Sequence, residues 1–200
     1  MENNTLRVFK NKLQKIVKAK GIYLYTQNKK ILDTTAGGTS YAVLGWENKI
    51  INQAINNQLK KFCHIDYKIW NDPNIDILSK KLLSKAEHKL DKVYYCGNSG
   101  AEANEAAMKL SFLTHQANGK TKKKHFIGRL QSYHGITTDA LSIADRPNLN
   151  LFNVMYNKSR SLIPQHHYLK EKFKNETKIE YAKRSAGYLE KEILKIGPDN

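Results

Sequence analysis

Cysteine is nearly missing from this chain: two in 200 residues, Cys63 and Cys96. They stand too far apart for a C-x-x-C site and are too few for a disulfide framework, so the expected compartment is the reducing cytoplasm. Long apolar runs are missing as well. Met1 to Lys20 holds none that would serve as a secretion signal, and no later stretch is long enough to cross a bilayer. Leu6, Phe9, Leu13, Ile16 and Val17 instead mark a short amphipathic helix, too Arg-poor for more than a weak likeness to a transit peptide. The histidines, His166-His167 included, lack ligand spacing, and no metal site is expected. Acidic residues are scarce, 18 against 34 Lys and Arg, which leaves a net charge of +16. Charge of that size raises a basic nucleic-acid-binding module as an alternative, but no aromatic and basic stripe or zinc pattern accompanies it. The one true cluster, Lys122-Lys123-Lys124, falls where a solvated loop needs polar residues anyway. Neither nucleic acid nor membrane is expected as a partner, and no internal repeat or low-complexity tract is present.

What the chain does have is a 40% hydrophobic content, ample for a core, and one very informative junction. The apolar Val93-Tyr94-Tyr95-Cys96 reads as a strand running into Gly97-Asn98-Ser99-Gly100-Ala101-Glu102, after which the chain turns alanine-rich and helical to about Leu113. Ser99 and Glu102 spell an S-x-x-E capping box, and Glu105 stands four residues before Lys109. Ala103, Ala106, Ala107, Leu110 and Leu113 give this helix its buried face. Small residues at such a turn let backbone N–H groups converge where the helix dipole is positive, so the expected guest is a phosphate. A glycine there also serves plain tight packing in many α/β proteins, and Ser99 also suits a simple N-cap role.

Around this junction the pattern alternates. Ile22 to Tyr25 and Lys30 to Leu32 read as a hairpin, 48 to 62 as a helix through Ile51, Ile55, Leu59 and Phe62, and Asp72-Pro73 opens another lined by Ile75, Leu78, Leu82, Ala86 and Leu90. A strand His125-Phe126-Ile127 leads to a second loop, Ser132-Tyr133-His134-Gly135. The last helix, 178 to 196, carries Ala182, Ala186, Leu189, Ile193 and Ile196 and stops at Gly197-Pro198. Alternation of this kind predicts α/β with a parallel sheet. The division expected is 1–70 as an N-terminal segment and 71–200 as the first part of a larger domain.

With both loops in hand, the sequence resembles the class III pyridoxal-phosphate-dependent aminotransferases, the group of ornithine and other ω-amino-acid transaminases. The matching stretches are Asp33 to Gly45 with Gly37-Gly38 and Leu44-Gly45, Cys96 to Leu110, Ser132 to Gly135 followed by Ala140-Leu141-Ser142, and Leu189 to Asn200. Trp46, Lys49 and Gly100-Ala101 depart from the usual residues without removing a catalytic group. The resemblance implies fold type I of the pyridoxal-phosphate-dependent transferases, a three-layer α/β architecture with a mostly parallel sheet. It assigns cofactor binding to Ser99, Gly100 and Ala101 at the phosphate, with Tyr133 on a face of the pyridine ring and His134 and Gly135 beside it. Tyr133 would otherwise read as a core tyrosine and His134 as a packed histidine. Gly38, Thr39, Ser40 and Tyr41 fall on the family's substrate-entrance segment.

The implied activity is transamination between an amino donor and a 2-oxo acid or aldehyde acceptor, with a decarboxylase, racemase or aminomutase of the same family as alternatives. No lysine here falls on the position of the family's Schiff-base lysine, and no catalytic residue is assigned. A helix closed by Gly-Pro should feed another core strand, so the expectation is a truncated, inactive piece with apolar surface left uncovered. A homodimer is expected for the full-length protein, with the contact near Phe62 to Trp70.

Overall fold

The computed structural model describes residues 14–34, 42–146 and 159–200. Two compact units are present, one up to Lys81 and one from Leu82 onward. Among the described residues no helix is long and apolar enough to cross a membrane.

The first unit opens on three short antiparallel strands, β1 (Lys18–Lys20), β2 (Tyr23–Tyr25) and β3 (Lys30–Leu32), in that order. The β2–β3 hairpin matches the sequence reading. Its turn is closed by Thr26, whose Oγ1 accepts from the amides of Asn28 (3.3 Å) and Lys29 (3.0 Å). Of the expected N-terminal helix, Leu6, Phe9 and Leu13 lie outside the described residues, and its end is corrected: residues 14–17 belong to no helix, the Val17 amide donates to the Tyr25 carbonyl at 2.8 Å, and β1 follows. Lys18-Ala19-Lys20 has no β-rich composition, so pairing with Tyr23-Leu24-Tyr25 decides its state. Trp46, one of the departures from the family pattern, donates its indole N–H to Asp33 Oδ2 at 2.8 Å. Helix α1 (Lys49–Leu59), capped by the Asn48 side chain, follows in this unit, and α2 (Pro73–Lys85), entered from Asp72, begins in it and ends four residues past Lys81. Leu90 lies beyond the end of α2, and Leu78 and Leu82 are exposed.

The second unit is α/β. Helix α3 (Gly100–Ala117) precedes β4 (Phe126–Arg129), α4 (Thr138–Ser142), β5 (Arg160–Ile163), α5 (Tyr168–Glu171) and α6 (Lys178–Ile196). β4 and β5 pair in parallel, Phe126 opposite Arg160 and Arg129 opposite Ile163, as alternation predicts. Gly128 in β4 is required sterically, because a Cβ there would lie 2.1 Å from the Ile143 carbonyl oxygen. Val93 to Cys96 is corrected: it joins no ladder among the described residues, and a strand exists only by pairing.

Both long helices correct the expected burial. On α3 the covered residues include Ala101, Asn104, Glu105, Ala106 and Met108, so that of the expected face Ala106 is half-buried while Ala103, Ala107, Leu110 and Leu113 are exposed. On α6 the covered side is built on Tyr181, Arg184, Ser185 and Tyr188; of the expected face Ile196 is half-buried, while Ala182, Ala186, Leu189 and Ile193 are exposed. Helix α3 also runs four residues past Leu113.

Helix α6 starts on a complete capping box between Thr177 and Glu180. The preceding residue, Glu176, pairs with Arg184 at 2.7 Å, and Phe173 stacks on the guanidinium with its centroid 3.9 Å from Cζ. The Arg184 hydrogen bond holds the Glu176 carboxyl at about 2, below the ordinary 4.5. A depressed carboxyl stabilises the fold above its unfolded value, and that stability is lost as pH falls through the folded one. Glu176→Gln is therefore expected to melt below the parent chain at neutral pH. The gap should close between about pH 4.5 and about pH 2, as followed by circular dichroism across that range. A gap independent of pH would remove the ion pair from the account.

Candidate functional site

The two loops singled out by sequence meet in space. Asn98 to Glu102, Asn104 and Tyr133 to Thr137 line one open cavity of about 690 Å³ at the N-terminus of α3. Three contacts hold it together. Gly135, at φ +129°, lets its backbone lie against Ala101, so close that a Cβ would sit 2.4 Å from the Ala101 Cβ. Asn104 donates its side-chain amide to the His134 carbonyl oxygen at 2.6 Å. Glu105 Oε1 accepts from the amides of Asp139 (3.0 Å) and Ala140 (3.2 Å).

At the helix N-terminus, Ser99 caps α3 as expected, its Oγ accepting from the Glu102 amide at 3.2 Å. The reciprocal half of the expected capping box is corrected: Glu102 Oε2 accepts from the Asn98 amide at 3.1 Å and from the Ser99 hydroxyl at 2.9 Å. The carboxylate reaches one residue further back because Gly97, at φ +87°, leaves room for it. The amides of Gly100 and Ala101 donate to no partner among the described residues. A helix N-terminus with open donors attracts an anion. The Ser99 hydroxyl, by contrast, is already engaged.

Tyr133 is about half exposed and faces the cavity, and the Arg146 guanidinium lies over its ring, Cζ 5.2 Å from the centroid. His134 is fixed through its backbone carbonyl. Gly135 makes its close approach to Ala101 of α3. Gly38, Thr39, Ser40 and Tyr41, expected at the substrate entrance, lie outside the described residues. No group of His, Cys, Asp and Glu among the described residues is arranged to hold a metal ion.

Sequence reading missed Asn104, Glu105 and Arg146. Asn104 gave a faint signal, a poor helix former inside an alanine-rich helix. Glu105 was hidden by a plausible local partner: the expected pair with Lys109 is corrected by the two amides of α4, which the carboxylate caps instead. Desolvation works against its charge, but the neighbouring Thr137 and the amides of Ala140 and Asp139 outweigh it and hold Glu105 below the ordinary carboxylate value. Asp139 is pushed the other way, by burial and then by the Glu105 charge beside it.

A family model described as "Aminotransferase class-III" matches residues 7–195. An uncharacterized aminotransferase of Schizosaccharomyces pombe is 34% identical over 186 residues, covering 92% of this chain and 40% of that protein. Gamma-aminobutyrate transaminase 1, mitochondrial, of Oryza sativa subsp. japonica is 35% identical over 188 residues, covering 92% of this chain and 36% of its own length. Among solved structures, the omega transaminase of Pseudomonas jessenii in complex with PMP superposes with a TM-score of 0.85 at 28% identity, covering 98% of this chain and 45% of that one. The chain thus spans about two-fifths of the length of the relatives it matches.

Proposed function

Because this chain belongs to the class III aminotransferases, we propose that it carries the cofactor-phosphate cup and ring wall of a pyridoxal-phosphate-dependent transaminase, acting between an amino donor and a 2-oxo acid or aldehyde. The observation that carries this reading is the pair of open amides, Gly100 and Ala101, in the same cavity as the Tyr133 ring. The residues fit the group: the donors suit a phosphate, and Tyr133 contributes an aromatic ring to the lining of the same cavity. Pyridoxal 5'-phosphate, when bound, supplies the carbonyl carbon that accepts the amino group and a ring that draws electrons from the substrate carbon.

The chain's own residues bind and orient. Gly100 and Ala101 hold the phosphate through N–H groups aided by the dipole of α3, and Ser99 joins them if its hydroxyl turns away from Glu102. Tyr133 limits the ring's freedom from one side, with His134 and Gly135 as neighbours. Gly38, Thr39, Ser40 and Tyr41 are assigned to substrate entrance. Proton transfer is assigned to no residue of this chain. A homodimer is proposed, supported by the exposure of Tyr67, Ile69 and Trp70, and a cytoplasmic location, supported by the free thiols of Cys63 and Cys96.

Titration of the chain with pyridoxamine 5'-phosphate and with pyridoxamine, which lacks the phosphate, tests the cup. The phosphate form is expected to bind at least about tenfold more tightly, the size of one favourable anion–helix contact of about 1.4 kcal/mol. Ser99→Ala should cost about 1 kcal/mol of stability as a lost cap and leave most of that preference in place. Equal affinity for the two amines would overturn the assignment.

A further inference from the structure

We propose that Glu105 is a positioning residue for the cofactor cavity: from α3 it caps the neighbouring short helix α4 and so fixes the Tyr133–Thr137 loop against the cup. The inference rests on the proposed cofactor reading for its consequence, though not for its geometry.

The residue that should cap α4 is Thr137, and its side chain makes no cap hydrogen bond; its Oγ1 is buried without a well-formed partner. Five residues long, α4 cannot hold itself together by propagation. The Glu105 carboxylate supplies the missing acceptor from a different helix, taking the amides of Asp139 and Ala140 in the first turn of α4. The adjacent Asn104 takes the His134 carbonyl at the other end of the same loop. Two consecutive residues of α3 therefore grip both ends of a segment that bears Tyr133 at its start. Buried Ala140 and Leu141 seat α4 beneath it. With the carboxylate removed, α4 loses its first-turn acceptor, and the loop retains only the Asn104 hydrogen bond and the Gly135 packing.

Amide hydrogen exchange and pyridoxamine 5'-phosphate titration on three chains test this: the parent, Glu105→Ala and Glu105→Gln. Glu105→Ala is expected to raise exchange over residues 134–141 about tenfold, the factor of one lost cap, with α6 unchanged, and to weaken the phosphate ligand by a similar factor. Glu105→Gln keeps an acceptor oxygen and should restore most of both. Unaltered exchange in Glu105→Ala, or an increase spread evenly over β5 and α6, would overturn the positioning role. Should the parent fail to prefer the phosphate form, the cofactor reading falls, and the exchange pattern still decides whether Glu105 fixes the loop.

Discussion

Gly135→Ala is expected to abolish selective binding of pyridoxamine 5'-phosphate and to lower the stability of the second unit by about 3 kcal/mol or more. Two independent costs meet at this position. Its φ of +129° is a conformation that side chains with a Cβ rarely adopt, costing about 1–3 kcal/mol. The added methyl would also lie 2.4 Å from Ala101 Cβ, 2.8 Å from Ala101 Cα and 3.2 Å from Ala140 Cβ. The atoms it meets are alanine methyls and backbone rather than the end of a flexible side chain, so the relief must come from backbone, at about 1–3 kcal/mol for overpacking. The cheapest relief swings the loop off α3 and carries Tyr133 away from the open amides. Ala101→Gly in the same chain removes the nearest atom and should recover part of the loss, since the clash with the residue 101 backbone and the strained φ remain. Gly187→Ala is the matched control: it sits in α6 with nothing within 4 Å of the new Cβ, and should raise stability by about 0.5–1 kcal/mol. Thermal unfolding and ligand titration of the three chains check the argument. A Gly135→Ala chain that melts and binds like its parent would mean the loop does not rest on Ala101.

The same position shows what a sequence yields and what it withholds. Gly135 was legible only as a neighbour of the cofactor ring, implied by the family resemblance, while the Ser99 cap and helices α1, α2 and α6 followed from spacing and punctuation. Its packing on Ala101 was not legible, because that contact spans two elements distant in the chain. The unseen elements share that property. Five-residue α4 depends on an acceptor from α3, four-residue β5 exists by pairing with β4, and β1 is two lysines around an alanine until β2 pairs with it. Val93 to Cys96 is the converse, a segment of strong strand composition that joins no ladder among the described residues. Local composition specifies a candidate, and pairing decides it. At the site, this left the loops readable and the residues that hold them, Asn104 and Glu105, unread.

Helix α6 carries the second large effect for a related reason. Apolar periodicity pointed to Ala182, Ala186, Leu189, Ile193 and Ile196, of which only Ile196 is half-buried, whereas the covered side is built around Tyr181, 2% exposed, and Ser185, 1% exposed. Polar groups mark the inner face because each finds a partner there. The Tyr181 hydroxyl accepts from the His167 amide at 2.7 Å, and its ring packs against Tyr168 and His166 at centroid distances of 5.6 and 5.0 Å. Ser185 Oγ meets His166 Nδ1 at 2.9 Å and Arg129 Nη1 at 3.4 Å, tying the end of β4 to the segment after β5. Tyr181→Ala therefore removes a whole buried ring and should cost about 3–5 kcal/mol, enough to unfold a domain of ordinary marginal stability. Tyr181→Phe keeps the ring and loses the acceptor for the His167 amide together with the long 3.5 Å donation to the Gln165 carbonyl, so about 1 kcal/mol is expected. Leu189→Ala, on the stripe that apolar spacing favoured, should change stability by less than Tyr181→Ala does, because Leu189 is already 40% exposed. Denaturant unfolding of the three variants separates the two faces. If Leu189→Ala proved the more damaging, α6 would have to pack through its apolar stripe, and Arg129, His166 and Ser185 would lose their common meeting point.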